Sequence, residues 1–148
     1  MLTLHTAPLV DAGDGTPVLT GGAVAVSGDR IEAVGPLAAL LATYPEARVR
    51  QWPGRLAPAR VHTGPPPAAP SPRETVRALF ASGATALLVD GPLAAPLREA
   101  ATRGGLRLVA TPPPTPLTEG ARADLRATTD DGECVATVCA GRLVYRRR

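Results

Sequence analysis

The nitrogen and sulfur side chains that this chain could offer a metal are few: two histidines and two cysteines in 148 residues. His62 follows a strand-like stretch in RLAPARVHTGPPP and precedes Gly64 and three prolines. A protein-bound zinc takes three or four nitrogen, sulfur or oxygen ligands, so a metal site at His62 would need more donors beside it. The only other histidine is His5, in the predicted first strand.

The two cysteines are a poor source of further ligands. Cys134 and Cys139 lie in one predicted strand, and their odd spacing of five is expected to place them on opposite faces. In that arrangement they cannot form a disulfide with each other. No histidine is near them in the sequence, so we interpret both as small strand residues rather than metal ligands.

Two aspartates are the remaining candidates for a site. Asp90 is the last residue of the run ATALLVD, at the carboxyl end of a predicted parallel strand, where an α/β fold places functional groups. A helix cap or a turn before Gly91 and Pro92 is the alternative, and the sequence favours it. Asp124, in GARADL, is expected to accept hydrogen bonds from backbone donors in a turn. With only two histidines, no Ser-His-Asp set can be proposed.

Short strands separated by turns are predicted for the first third of the chain. Residues 18–36 alternate apolar and small residues around a turn at Gly28 and Asp29, which is typical of a hairpin. The segment LAALLATYPEAR predicts a short apolar helix that ends before Pro45. RVRQW predicts a strand, with Trp52 buried nearby.

The middle of the chain predicts alternating helices and strands after a proline-rich segment. Ser71, Pro72 and Glu74 have the order of an N-cap, a first helical residue and the acidic partner of a capping box. The first helix is expected to bury Val76, Leu79 and Phe80, and the second, from Pro96 to Arg103, to bury Leu97, Ala100 and Ala101. With the strands ATALLVD and LRLVAT, residues 72–111 form an α-β-α-β unit.

Composition excludes some classes of partner and location. The net charge of +3 equals the charge of Arg146, Arg147 and Arg148, since the other 13 arginines balance the 13 acidic residues. Aromatic residues make up only 3% of the chain, which leaves little for base stacking and argues against nucleic-acid binding. No secretory signal and no run of 18 apolar residues is present, so we expect a cytoplasmic protein that binds no membrane.

Both ends of the chain resemble the amidohydrolase superfamily, most closely imidazolonepropionases and aminodeoxyfutalosine deaminases. The segments that carry the resemblance are GGAVAVSGDRIEAVGP with WPGRLAPARVHTG, then ETVRALFASGATALLVDG with AATRGGLRLVAT, and finally GARADL with VATVCAGRLVY. The resemblance implies a composite β-sandwich built from both termini and a metal site on a (β/α)₈ barrel. Such a barrel takes about 250 residues, more than this chain contains.

The sequence departs from the family at the metal ligands. The family's His-x-His pair would fall at His62, Thr63 and Gly64, so glycine replaces the second histidine; in another alignment neither ligand remains. We therefore assign no catalytic, cofactor-binding or metal-binding residues and expect no cofactor.

The fold class that we predict is α+β, with a small composite β-sandwich and a short α/β insert that is a remnant of the barrel. Its parts are the sandwich at 1–61 and 117–148, a proline-rich linker at 62–71, the insert at 72–111 and a second proline-rich linker at 112–116.

The favoured function is a non-catalytic binding or scaffold subunit that forms a homodimer or docks onto another protein, because a two-stranded parallel insert would leave open edges. The alternative is a hydrolase or deaminase of non-peptide C–N bonds, in which a partner or second copy completes a zinc or iron site. A third hypothesis is a small-molecule binding protein with a pocket near Asp90 and Thr111.

Overall fold

Thirteen strands and three helices make up the computed structural model, which describes residues 1–148. The strands are β1 (Leu2–Thr6), β2 (Leu9–Val10), β3 (Leu19–Thr20), β4 (Gly22–Ser27), β5 (Arg30–Pro36), β6 (Arg48–Gln51), β7 (Arg55–Pro58), β8 (Arg60–His62), β9 (Ala84–Leu88), β10 (Arg107–Val109), β11 (Leu125–Thr128), β12 (Cys134–Cys139) and β13 (Arg142–Arg146). The helices are α1 (Leu37–Thr43), α2 (Pro72–Ala81) and α3 (Ala95–Gly104). None of them is long and apolar enough to cross a membrane.

Two sheets enclose the main core, and both chain termini contribute to it. One sheet has the strand order β5-β4-β1-β6, and the other has the order β13-β12-β11-β7-β2-β3. Val24 and Ile31 of the first sheet join Leu56, Leu125 and Val138 of the second in one buried apolar cluster. The predicted α+β class and the small composite arrangement are confirmed.

Strand β4 is apolar on both faces because both are covered. Val24 and Val26 belong to the core between the sheets, whereas Ala23 and Ala25 pack with Leu40 of α1 on the outer side. The small alanine side chains allow the helix to lie close to the sheet. The predicted short helix before Pro45 is thus present as α1, and its role is to cover the outer face of this sheet.

The first helix of the insert begins where its capping residues predict. The Ser71 side chain accepts a hydrogen bond from the Glu74 backbone amide at 3.3 Å, and its hydroxyl donates to the Glu74 carboxylate at 3.1 Å. Pro72 occupies the first helical position, where a missing N–H costs nothing. Val76, Leu79 and Phe80 are buried, as the helical periodicity predicts.

The parallel sheet of the insert has three strands rather than the two that we expected. Its order is β10-β9-β8, because β8 pairs with β9 in parallel. Residues 55–62 are nearly continuous strand, but the chain changes sheets at Ala59: the Ala59 amide bonds to Asp124 of the sandwich, and the Arg60 amide to Gly83 of the insert. Local patterning cannot reveal this change of partner, since both halves are equally extended.

The cysteines are free, but their predicted placement on opposite faces is wrong. The pairing of β11 with β12 shifts register, so that Ala127 faces Ala136 while Thr128 faces Cys134. This bulge adds one residue to β12, so that two side chains an odd number of residues apart on either side of it face the same side of the sheet. Cys134 lies 3.5 Å from the Thr137 hydroxyl, which donates to Phe80 of α2, and Cys139 donates to Gly105 after α3. Both cysteines therefore face the insert.

Candidate functional site

The carboxyl ends of β8, β9 and β10 lie at one edge of the insert sheet, because the three strands are parallel. A cavity of about 380 Å³ opens there. It is lined by Gly64, Pro65, Pro66, Leu87, Leu88, Val89, Asp90, Pro92 and Leu93. The lining is mostly apolar, and Asp90 supplies its only charged side chain.

His62 is the last residue of β8, and its ring is held by its own loop. The Nε2 atom lies 3.0 Å from the Pro65 carbonyl oxygen, so a ring protonated at Nε2 donates a hydrogen bond to it. Gly64 has a φ of 84°, in the left-handed region that favours glycine, and this turns the loop back toward the ring. Gly64 thus has a conformational role at the place where a second histidine would be needed.

The donors in this region do not fit a zinc or iron site of the hydrolase type. No three His, Cys, Asp or Glu side chains of residues 1–148 come together as ligands would. The Nε2 atom of His62 is already occupied by a carbonyl. A zinc ion needs three protein ligands in a catalytic site and four in a structural one, so His62 cannot hold it alone.

The structure brings Asp90 to this cavity but not Thr111. Asp90 lies at the rim, is exposed, and makes no hydrogen bond or ion pair through its side chain; the residue that caps α3 is Ala94. Asp90 is therefore not a helix cap. Thr111 follows β10 and is also exposed, but it does not contribute to the lining.

Asp124 lies at the junction of the sandwich and the insert, where its side chain is only 3% exposed. It accepts a hydrogen bond at 2.9 Å from the amide of Ala140, which lies in the turn between β12 and β13 rather than in the segment of Asp124 itself. Sequence reasoning missed its charged partners: Arg122 Nε at 3.2 Å, and Arg107 Nη2 of β10 at 3.5 Å. Arg122 extends the junction by donating to Gly105 and to the Cys139 sulfur. The role of Asp124 is to join the two parts of the fold.

His5 is buried in the sandwich, remote from the cavity in the fold. The Trp52 indole N–H donates to His5 Nδ1 at 3.2 Å, so a neutral ring carries its proton on Nε2. Burial, together with the positive charge of Arg50, its neighbour on β6, lowers the pKa of His5 from 6.5 to about 4. His5 is accordingly neutral at pH 7 and structural.

The buried neutral His5 predicts a loss of stability on acidification. Because the unfolded chain binds this proton at pH 6.5 and the folded chain only near pH 4, the free energy of unfolding falls across that window. Urea unfolding at both ends of the window should show about 2–3 kcal/mol of loss from this residue. His5→Gln, whose amide oxygen can accept from Trp52, should lack that part of the pH dependence; equal pH dependence in the two proteins would contradict the assignment.

The chain resembles known proteins in two ways: one segment matches a family model, and the fold matches solved structures. The family model of the imidazolonepropionase-like composite domain of bacteria matches residues 22–47. No curated protein matches the chain. Among solved structures, E. coli guanine deaminase shares 18% identity at a TM-score of 0.59, with 73% of this chain and 35% of that chain covered.

Two further structures show the same fold. A. niger ochratoxinase shares 17% identity at a TM-score of 0.55, covering 72% of this chain and 30% of that one. A triazine hydrolase variant shares 18% identity at a TM-score of 0.53, covering 72% and 34%. The chain spans about a third of the length of these structures. The resemblance to imidazolonepropionase-like proteins is confirmed by the family model over residues 22–47, and these solved structures share the fold of this chain.

Proposed function

We propose that this chain, which carries an imidazolonepropionase-like composite domain, is a non-catalytic, cytoplasmic binding or scaffold subunit that self-associates through the edges of its insert sheet. The observation that supports the proposal is that β8 and β10 each have one unpaired edge. Each pairs with β9 on one side and has no strand on the other. Unpaired strand edges expose backbone groups that readily bind a strand of another chain.

Burial within the sheet supports this interpretation. Four of the five residues of β9 are buried, whereas neither β8 nor β10 contains a fully buried residue. Helices α2 and α3 and Cys139 of β12 cover β9, so the unpaired backbone groups of this sheet lie at its two edges. A second copy at either edge would extend the sheet and supply the missing hydrogen bonds.

The edge of β10 offers a direct test of self-association. The Val109 carbonyl accepts from the Val89 amide after β9, so the backbone groups of the preceding residue, Leu108, point to the open side. Leu108→Pro removes that outward N–H, and Leu108→Ala is the matched control because it loses a similar apolar side chain but keeps the N–H. We expect light scattering at high micromolar concentration to give a dimer for the wild type and Leu108→Ala, and a monomer for Leu108→Pro. A monomeric wild type would contradict the proposal.

Metal content separates a binding subunit from a hydrolase completed by a second copy. We expect elemental analysis to find less than about 0.1 zinc or iron per chain in the wild type and in His62→Ala, because His62 has too few partner ligands. About one metal ion per chain in the wild type, lost in His62→Ala, would instead support a hydrolase or deaminase of C–N bonds whose ligands come from two chains.

A further inference from the structure

A second cavity lies away from the sheet edges, between α2 and α3. It has a volume of about 460 Å³, within the range of about 300–1,000 Å³ found for ligand sites. We call it the arginine groove. It is lined by Arg73, Val76, Arg77, Phe80, Ala100, Arg103 and Gly104.

The three arginines of the groove are exposed and lack a counter-ion. None of Arg73, Arg77 and Arg103 has a carboxylate within 4.0 Å, although five other ion pairs form in the protein. Arg73 and Arg77 are four residues apart on α2, so they lie on one face and repel each other. Arg73 is also in the first helical turn, where the helix dipole disfavours a cation. An anionic ligand would relieve all of these unfavourable interactions.

The basic surface continues across α2. Arg77 also borders a shallower cavity of about 650 Å³ between α2 and β13, which Tyr145 and the C-terminal arginines line. Of these arginines, Arg147 is paired with Glu133 and Arg146 lies 5.4 Å from the Trp52 ring, while Arg148 has no ion pair. Two cavities that share Arg77 suit an extended chain better than a compact molecule.

We infer that the arginine groove binds an extended acidic segment of a partner protein, with an apolar side chain placed on Val76, Phe80 and Ala100 and carboxylates on the arginines. Guanidinium groups pair with carboxylates in bidentate geometry, which favours this chemistry. The apolar floor distinguishes the groove from a surface that attracts any anion. Nucleic acid is disfavoured, because the lining of the groove offers a single aromatic residue, Phe80, whereas single strands stack successive bases on several aromatic side chains.

Fluorescence anisotropy with the full chain tests the inference. The probe is a labelled peptide in which single leucines alternate with pairs of glutamates. We expect Arg77→Gln/Arg103→Gln to weaken binding at least about tenfold. Arg98→Gln is the matched control, since Arg98 is exposed on α3 but outside the groove, and it should change binding less than about twofold. Equal affinity in all three proteins, or no binding by the wild type, would overturn the inference.

Two further probes distinguish other occupants. A peptide with serine in place of leucine should bind less well; equal binding would show that the apolar floor is not used and would overturn the inference. If single-stranded RNA bound more tightly than the peptide, and the double variant lost that RNA binding, the inference would be overturned in favour of nucleic acid. A dimer that dissociates in the double variant would show that a second copy occupies the groove, also against the inference.

This inference deepens the proposed binding role and rests on it, but the two can fail separately. The dimer test changes Leu108 and the metal test changes His62, and neither residue lines the arginine groove. Dimerisation through β10 without peptide binding would contradict only the inference about the arginine groove. Metal binding through His62 would contradict the non-catalytic role and would not change the affinity measured for the peptide.

Discussion

Asp124→Ala is expected to lower the free energy of unfolding by about 3–5 kcal/mol. Asp124 is almost completely buried and lies close to Arg122 and Arg107. Nε atoms of both arginines are buried without a hydrogen-bond partner, so the nearby carboxylate provides their electrostatic compensation. Removing it leaves two positive charges at the junction of sandwich and insert and also frees the Ala140 amide. Urea unfolding monitored by Trp52 fluorescence measures the loss.

Asp29→Ala is the control for this variant. Asp29 pairs with Arg30 at 3.7 Å, but both side chains are more than half exposed, so the loss should stay below about 1 kcal/mol. A double variant, Arg122→Met/Asp124→Leu, should lose less than Asp124→Ala, because it removes one charge together with its partner. A similar small loss for Asp29→Ala and Asp124→Ala would show that the junction does not depend on the buried carboxylate.

Gly141→Ala is expected to lower the free energy of unfolding by about 4 kcal/mol, since it combines backbone strain with a steric overlap. Gly141 has a φ of 80° in the turn between β12 and β13. A Cβ atom there would overlap the carbonyl oxygen of Gly28, in the turn between β4 and β5. This contact brings the N-terminal and C-terminal hairpins together, so the substitution separates the two segments that form the sandwich.

Gly132→Ala is the matched control for the steric part. Gly132 has nearly the same φ, 84°, in the turn between β11 and β12, but a Cβ atom there would meet nothing within 4 Å. It should cost only the strain of about 1–2 kcal/mol. Equal losses of stability in Gly132→Ala and Gly141→Ala would show that the approach of Gly141 to Gly28 does not contribute.

Local sequence signals were sufficient for the helices. Ser71, Pro72 and Glu74 determine the start of α2 through contacts within three residues. Pro45 limits α1, and Gly105, with a φ of 83°, ends α3. Each of these signals acts through the backbone conformation of its own segment, so the rest of the fold is not needed to interpret it.

The candidate site was only partly predictable. The sequence placed His62 and Asp90 at the ends of strands, and one of its two alignments with the amidohydrolase family placed Gly64 at the second histidine of the pair. It could not show that the His62 ring is bound to Pro65 or that Asp90 borders a cavity, because loop conformation decides both. The arginine groove could not be predicted from the sequence either, since Arg103 lies near Arg73 and Arg77 only when α3 packs on α2.

The sequence by itself determined the helix boundaries and the apolar strands. The tertiary structure decided which sheet β8 joins, the shared orientation of Cys134 and Cys139, and the burial of Asp124. The physical reason is range: capping and periodicity act within a few residues, whereas these outcomes depend on partners far along the chain. His5 and Trp52, 47 residues apart, become hydrogen-bonded neighbours only when β1 pairs with β6.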